Sequence, residues 1–353
     1  MPDLTMVFVG DVYVQRSDPD SAFAPALPLL KDADIAFCNL ETVIADAKYL
    51  SPHDRDPRPR TDEWILPAYL RAGFNVLNVA NNPSMYHGLD PFLRSLDLLD
   101  QAGVVYGGGG RNLAEARRLA IIERKGTKVA FVCRASVGAV DAGATPDRGG
   151  TATFRVTTAY EPRPRLNEVP GSPPIIHTFP NPMDVAALEE DIQAARAQAD
   201  VVIVSWHWGV SPATGGTGEL VGYQMEMGRK AIDFGADLVV GHHPHVLQPI
   251  EVYKGKAIVY SLANYVHDLG SFRPGRMLMT MLLRCLVRDG AIRRVSFVPG
   301  RIDGHGPPAF MRPAEAEDVV GHMRDISAAF GTQFEVGEDE VGVVLGAPVP
   351  AAP

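Results

Sequence analysis

The sequence predicts an α/β fold. Six short apolar runs each break off in polar residues, and segments of helical period lie between them. A third sign is the 34 glycines and 29 prolines among 353 residues, which imply many turns between short elements.

Residues 5–9 (TMVFV) read as a buried strand ending in Gly10-Asp11, and residues 34–38 (DIAFC) as a second strand ending in Asn39-Leu40-Glu41. Residues 74–79 (FNVLNV) lead into Ala80-Asn81-Asn82, and residues 201–205 (VVIVS) into Trp206-His207-Trp208-Gly209. Residues 237–240 (DLVV) end in Gly241-His242-His243-Pro244-His245, and residues 257–261 (AIVYS) in Leu262-Ala263-Asn264. Apolar residues recur at helical spacing over 90–102, 184–198 and 223–234, with a C-terminal helix expected over 314–330. Residues 277–287 and 293–298 read as a β pair about Asp289-Gly290, a hairpin signal. Residues 53–60 (HDRDPRPR) read as a charged surface loop, and residues 135–182, rich in Gly, Pro and Thr, as a long loop over the active-site face. The tail after residue 331 is expected to be poorly ordered.

Composition narrows the function. With 33 Lys+Arg against 42 Asp+Glu the net charge is −9, a poor match for a nucleic-acid backbone. Three scattered cysteines form neither a disulfide framework nor a CxxC metal site and point to a reducing compartment. The N-terminus has no signal-peptide pattern and no run of apolar residues is long enough to span a bilayer, so a cytoplasmic chain without a membrane anchor is expected.

The polar residues at the strand ends are the informative ones. Asp11, Glu41, Asn82, His207, His243 and His245 each follow an apolar run almost immediately, where α/β sheets gather their ligands. Taken singly they have plain readings: Asp11 as a turn residue, Asn82 as a turn former, His207 as a core histidine. Three imidazoles within the four residues His242-His243-Pro244-His245 do not. Imidazole, carboxylate and amide oxygen together suit one or two divalent cations, with Mn, Fe or Zn the expected metals. Because these residues run from position 11 to 245, one domain over 1–330 is expected, followed by a tail over 331–353.

The chain resembles the CapA family, the poly-γ-glutamate capsule synthesis proteins of the metallophosphoesterase (calcineurin-like) superfamily. The matching residues are Gly10-Asp11-Val12 through Arg16, Asn39-Leu40-Glu41-Thr42, Ala80-Asn81-Asn82, His207-Trp208-Gly209, the run GADLVVGHHPHVLQPIE over 235–251, and IVYSLANY over 258–265. The resemblance implies a layered β-sandwich flanked by helices, of the metallo-dependent phosphatase type. It also implies that Asp11 and His245 hold one cation, that Asn82, His207 and His243 hold a second, and that Glu41 bridges them. His242 is expected at the substrate or behind the ligands, and Arg16 to bind an anion. Tyr13, Tyr86, Trp206 and Trp208 are candidate substrate contacts; of the two tryptophans one is expected to face the core and one the cleft.

The sequence also departs from the family pattern. Pro83 stands where the family has the histidine of Asn-Asn-His, Ser211 where it has the glutamate of His-Trp-Gly-x-Glu, Ala263 where it commonly has glycine, and Tyr13 where ordinary phosphoesterases have the histidine of Asp-x-His. Catalysis is therefore assigned to Asp11, His207 and His245, with His87 as the replacement for the lost histidine. Three activities stay open: metal-dependent hydrolysis of a phosphoester or an amide such as a γ-glutamyl bond, acid–base chemistry at carbon such as peptide epimerisation, and non-catalytic binding in a capsule pathway. A small-molecule or peptide partner is expected; the oligomeric state is open.

Overall fold

A computed structural model of the chain describes residues 2–54, 58–165, 168–269, 275–302 and 306–346. In chain order the principal strands are β1 (Leu4–Tyr13), β2 (Ile35–Leu40), β3 (Val76–Asn78), β4 (Val105–Gly107), β5 (Ala120–Arg124), β6 (Thr127–Ala135), β7 (Val156–Glu161), β8 (Ile175–Pro180) and β9 (Val201–His207). They continue as β10 (Leu238–His242), β11 (Ile250–Tyr253), β12 (Lys256–Val259), β13 (Asn264–His267), β14 (Met279–Arg288), β15 (Ala291–Ile302), β16 (Pro308–Phe310), β17 (Phe334–Val336) and β18 (Val341–Val343). The longer helices are α1 (Leu66–Ala72), α2 (Leu89–Gln101), α3 (Pro182–Arg196), α4 (Gly222–Phe234) and α5 (Glu317–Ser327). All six apolar runs form strands and all four helical patterns form helices.

Two large sheets carry the architecture. One runs β17-β18-β15-β14-β1-β2-β3-β4, with β13 beside β1 and β16 beside β15; the other runs β11-β12-β10-β9-β6-β5. Their central strands β1, β2, β9 and β10 are largely apolar on both faces because both faces are covered. Met6 and Phe8 of β1 join Ile203 of β9 and Leu238 of β10 in one core cluster shared by the two sheets. Val7 and Val9 point the other way, onto Tyr69 of α1 and Leu96 and Leu99 of α2. Val202, Val204 and Trp206 likewise turn to Leu188 and Ile192 of α3 and Met227 of α4. The stacked rings of Phe37 and Phe131, 5.3 Å apart, join the two sheets through that shared cluster.

Three expectations are corrected. The stretch 135–182 is not a plain loop: β7 and β8 pair along six residues, and Thr178 Oγ1 accepts the Tyr223 N–H at the start of α4 (3.0 Å). The C-terminal tail is ordered to residue 346, because β17 and β18 extend the first sheet beside β15; residues 347–353 lie outside the described residues. Of the charged loop 53–60, residues 55–57 lie outside the described residues, while Arg60–Thr61 pairs in parallel with Val43–Ile44. The hairpin β5–β6 went unread although Lys125-Gly126, with φ 51° and 77°, turns it just as Asp289-Gly290 turns β14 into β15.

Candidate metal centre

The site begins with a register shift. Val9 pairs with Cys38, but the next pair is Asp11 with Asn39, so Gly10 is an extra residue in β1. Side chains alternate across a strand. Without the bulge Asp11 would share the face of Val9, towards α1 and α2; with it, Asp11 shares the face of Phe8 and enters the space between the sheets. There Oδ1 accepts from Asn39 Nδ2 (2.8 Å) and Oδ2 from the His243 N–H (3.1 Å), a contact between the two sheets.

The remaining groups come from the ends of β2, β3, β9 and β10. Glu41 Oε1 lies 3.6 Å from His207 Nε2 and 3.4 Å from His245 Nε2. His245 Nδ1 lies 3.4 Å from Asp11 Oδ2, and His242 Nδ1 3.6 Å from Asp11 Oδ1. Asn82 Oδ1 lies 2.6 Å from His207 Nε2, and Asn39 Nδ2 lies 3.2 Å from His207 Nδ1. His243 and His245 adopt φ of 93° and 56°, left-handed conformations that turn two imidazoles inward within one short loop. Asn264 Oδ1 accepts from His245 Nδ1 (2.7 Å) and holds that ring.

These distances fit a cation cage better than a hydrogen-bond network. The carboxylate–imidazole contacts of 3.4–3.6 Å exceed hydrogen-bond length. They match two ligands on one ion, about 3–3.5 Å apart for ~2.1 Å bonds at tetrahedral angles. Two sets, Asp11–Glu41–His207 and Glu41–His243–His245, bring three ligand atoms within 4.8 Å of one another, and Glu41 belongs to both. Glu41 Oε2, His243 Nδ1 and both ring nitrogens of His242 are buried without a hydrogen-bond partner among the described residues, an expensive state for polar atoms unless something else engages them.

The electrostatics agree. Burial pushes Asp11 up to about 7, against the pull of its bonds to His243 and Asn39. Burial and the Asp11 charge raise Glu41 well above the usual carboxylate range. Burial lowers His242 and His243 to about 3 and His245 to about 4, and carries His207 well below its ordinary value. At neutral pH the imidazoles are uncharged and their lone pairs are available to a metal.

An open pocket of about 550 Å³ lies over the cluster, lined by Asn82, Tyr86, His243, Gly209 and Arg58 among others. Asn82 Nδ2 donates to the Tyr86 hydroxyl, and the Arg58 guanidinium carbon stands 3.6 Å from the centre of the Tyr86 ring.

Several candidates sit elsewhere. Trp206 and Trp208 are fully buried and stack on each other at 4.8 Å, on the α3–α4 side. Residues two apart on a strand share a face. Neither tryptophan therefore faces the cleft: Trp206 Nε1 donates to Ser136 and Trp208 Nε1 to the Tyr260 carbonyl. His87 lines a different pocket, with Nδ1 against Asp54 (2.8 Å) and Nε2 against the Arg58 carbonyl (3.2 Å). It holds the segment that carries Arg58 and lies outside the pocket over the cluster. Arg16 pairs with Asp268 and ties the end of β1 to the end of β13. Tyr13 is buried edge-on against His267 (5.1 Å), and His242 lies against Asp11 and Phe37, so neither lines the pocket. Ser211, at the position of the family's glutamate, caps a 3₁₀ turn over Pro212–Thr214.

Sequence reading missed Asn39, Asn264, Arg58 and His267. Asn39 and Asn264 had a signal, each being a polar residue at a strand end inside a quoted motif. Arg58 and His267 had none, because tertiary packing alone brings them to the site.

Comparison with known proteins finds relatives along most of the chain. Bacterial capsule synthesis protein PGA_cap matches residues 5–269. The capsule biosynthesis protein CapA of Bacillus anthracis is 29% identical over 352 residues, covering 97% of this chain and 78% of that protein. The PGA biosynthesis protein CapA of Bacillus subtilis is 30% identical over 275 residues, covering 76% of this chain and 64% of that one. A probable polyglutamine synthesis accessory protein of Mycobacterium tuberculosis is 30% identical over 249 residues, covering 69% and 58%. Among the described residues no helix is long and apolar enough to cross a membrane. The chain belongs to the bacterial capsule synthesis protein family PGA_cap.

Proposed function

We propose that the protein is a metal-dependent hydrolase of the metallophosphatase type, acting on an anionic substrate through a phosphoester or a γ-glutamyl amide bond. The observation that carries this reading is Glu41, whose carboxylate is common to two buried ligand sets at cage distances. Asp11, Glu41, His207 and Asn82 would hold one cation, and Glu41, His243 and His245 the other. Divalent cations in such a site lower the pKa of water and offset charge that develops on an oxyanion.

The chain's own groups do the rest. Asn39 and the His243 N–H orient Asp11. The Tyr86 phenol, raised above its ordinary value by burial, keeps its proton at neutral pH and faces the pocket where Pro83 has none to give. The Arg58 guanidinium at the same pocket favours a carboxylate or phosphate. The capsule and PGA biosynthesis roles named for the relatives make a γ-glutamyl bond the first substrate to test.

The test is metal content and hydrolysis together. Protein purified with Mn, Fe or Zn should hold up to two ions per chain and release product from a panel of phosphoesters and γ-glutamyl peptides. Asp11→Asn should remove both properties. Less than one ion per chain, with no rescue on adding metal, sinks the reading.

A further inference from the structure

Strand β13 carries a histidine that lies outside both ligand sets. Asp11 pairs with Asn264, but the next pair is Val12 with Val266, so Tyr265 is an extra residue in β13. The bulge turns His267, in place of Val266, to the face of Asn264 and makes it the register partner of Tyr13. Val266 packs instead in the cluster beneath α1 and α2. His267 is 6% exposed, and its ring is braced edge-on by Tyr13 at 5.1 Å and His245 at 5.6 Å. Its Nε2 lies 3.8 Å from Glu41 Oε2. Oε2 is the oxygen of the shared carboxylate that has no hydrogen-bond partner among the described residues. The separation is beyond a hydrogen bond and close to that of two ligands on one ion.

We infer that His267 is a further protein ligand of the cation that Glu41, His243 and His245 would hold. This rests on the metal-centre reading above. Glu41 then presents Oε1 to His207 and His245 and Oε2 to His267, so that both of its oxygens face imidazoles.

The experiment uses the full chain loaded with zinc, with ion content, binding isotherms and the imidazole count per zinc from X-ray absorption. In wild type two ions bind. In His267→Ala the weaker ion should bind at least tenfold less tightly, and the imidazole count should fall by one per pair of ions. The exchange Tyr13→His with His267→Tyr returns an imidazole to the same face from the neighbouring strand. It should restore the count even if the single variant folds poorly. Unchanged affinity in His267→Ala overturns the inference and leaves the metal centre standing. So does weakened affinity with an unchanged imidazole count, which makes His267 a positioning residue. A wild type that binds no zinc overturns the inference together with the reading beneath it.

Discussion

A β-carbon at Gly10 would lie 2.1 Å from the carbonyl oxygen of Ala263. The same oxygen accepts the Asp11 N–H at 3.0 Å, so the bulge that aims Asp11 is pinned by a contact only glycine permits. Ala263 reaches that position at φ 60°, a conformation glycine adopts more readily.

Gly10→Ala should therefore destabilise the fold by about 3 kcal/mol, the upper end for overpacking, and release Asp11 from the site. Urea denaturation and metal content check the two effects. Ala263→Gly should do the reverse on a smaller scale, stabilising by about 0.5–1 kcal/mol, because it removes left-handed strain while adding unfolded-state freedom.

Metal binding should release protons, and they should come from carboxyls. At pH 6 Asp11, held at about 7 by burial, is largely protonated, whereas the imidazoles are already neutral. Titration calorimetry in two buffers of different ionisation enthalpy should find about one proton released per chain saturated at pH 6, and fewer at pH 8.

Without metal the same groups should make the fold acid-sensitive. Asp11 is raised from 3.8 to about 7, so its contribution to stability is complete below pH 4 and fades as the pH rises through 7. The histidines run the other way. His242 and His243 fall from 6.5 to about 3 and His245 to about 4, so their contribution is present above 6.5 and is lost as the pH falls towards 4 and 3. His207 and His267 are lowered too, so imidazoles outnumber Asp11 and Glu41. Stability should rise between pH 4 and 6.5, by about 1.4 kcal/mol per pH unit for each net proton. The melting temperature of chelator-treated protein at pH 5 and pH 7 measures it.

Arg58→Ala should raise KM for an anionic substrate about tenfold, equivalent to ~1.4 kcal/mol, while kcat changes little. Arg58→Lys should not restore it, because a planar guanidinium stacks over the Tyr86 ring and an ammonium does not. Steady-state kinetics separates the two parameters.

Trp208→Ala should unfold more readily by about 3–5 kcal/mol, the range for a large core aromatic. Its indole stacks on Trp206 and Tyr260 (6.0 Å) and not on a ligand, so KM should hold in whatever fraction stays folded.

Alternating apolar runs and their polar ends were enough to locate the strands that build the site, and local chemistry marked Asp11, Glu41, Asn82, His207, His243 and His245. That worked because the central strands of both sheets are covered on both faces. They must be apolar along most of their length, and any polar residue at an end stands out. Where strand parity was not applied or the signal was not local, reading failed. Trp206 and Trp208 were expected on opposite faces, yet alternation places them by parity, with the imidazole of His207 inward and both indoles towards the helices. His87 looked close to the site because it is close in sequence, and packing turned it to Asp54 and the Arg58 carbonyl.

The sequence by itself determined the α/β class, the order of the main elements and the donor types of the candidate metal centre, all properties of neighbouring residues. The tertiary structure decided which donors meet. Two bulges, at Gly10 and Tyr265, each add one residue to a strand and so reverse which side chains face inward, and that choice depends on the neighbouring strand against which the extra residue is counted.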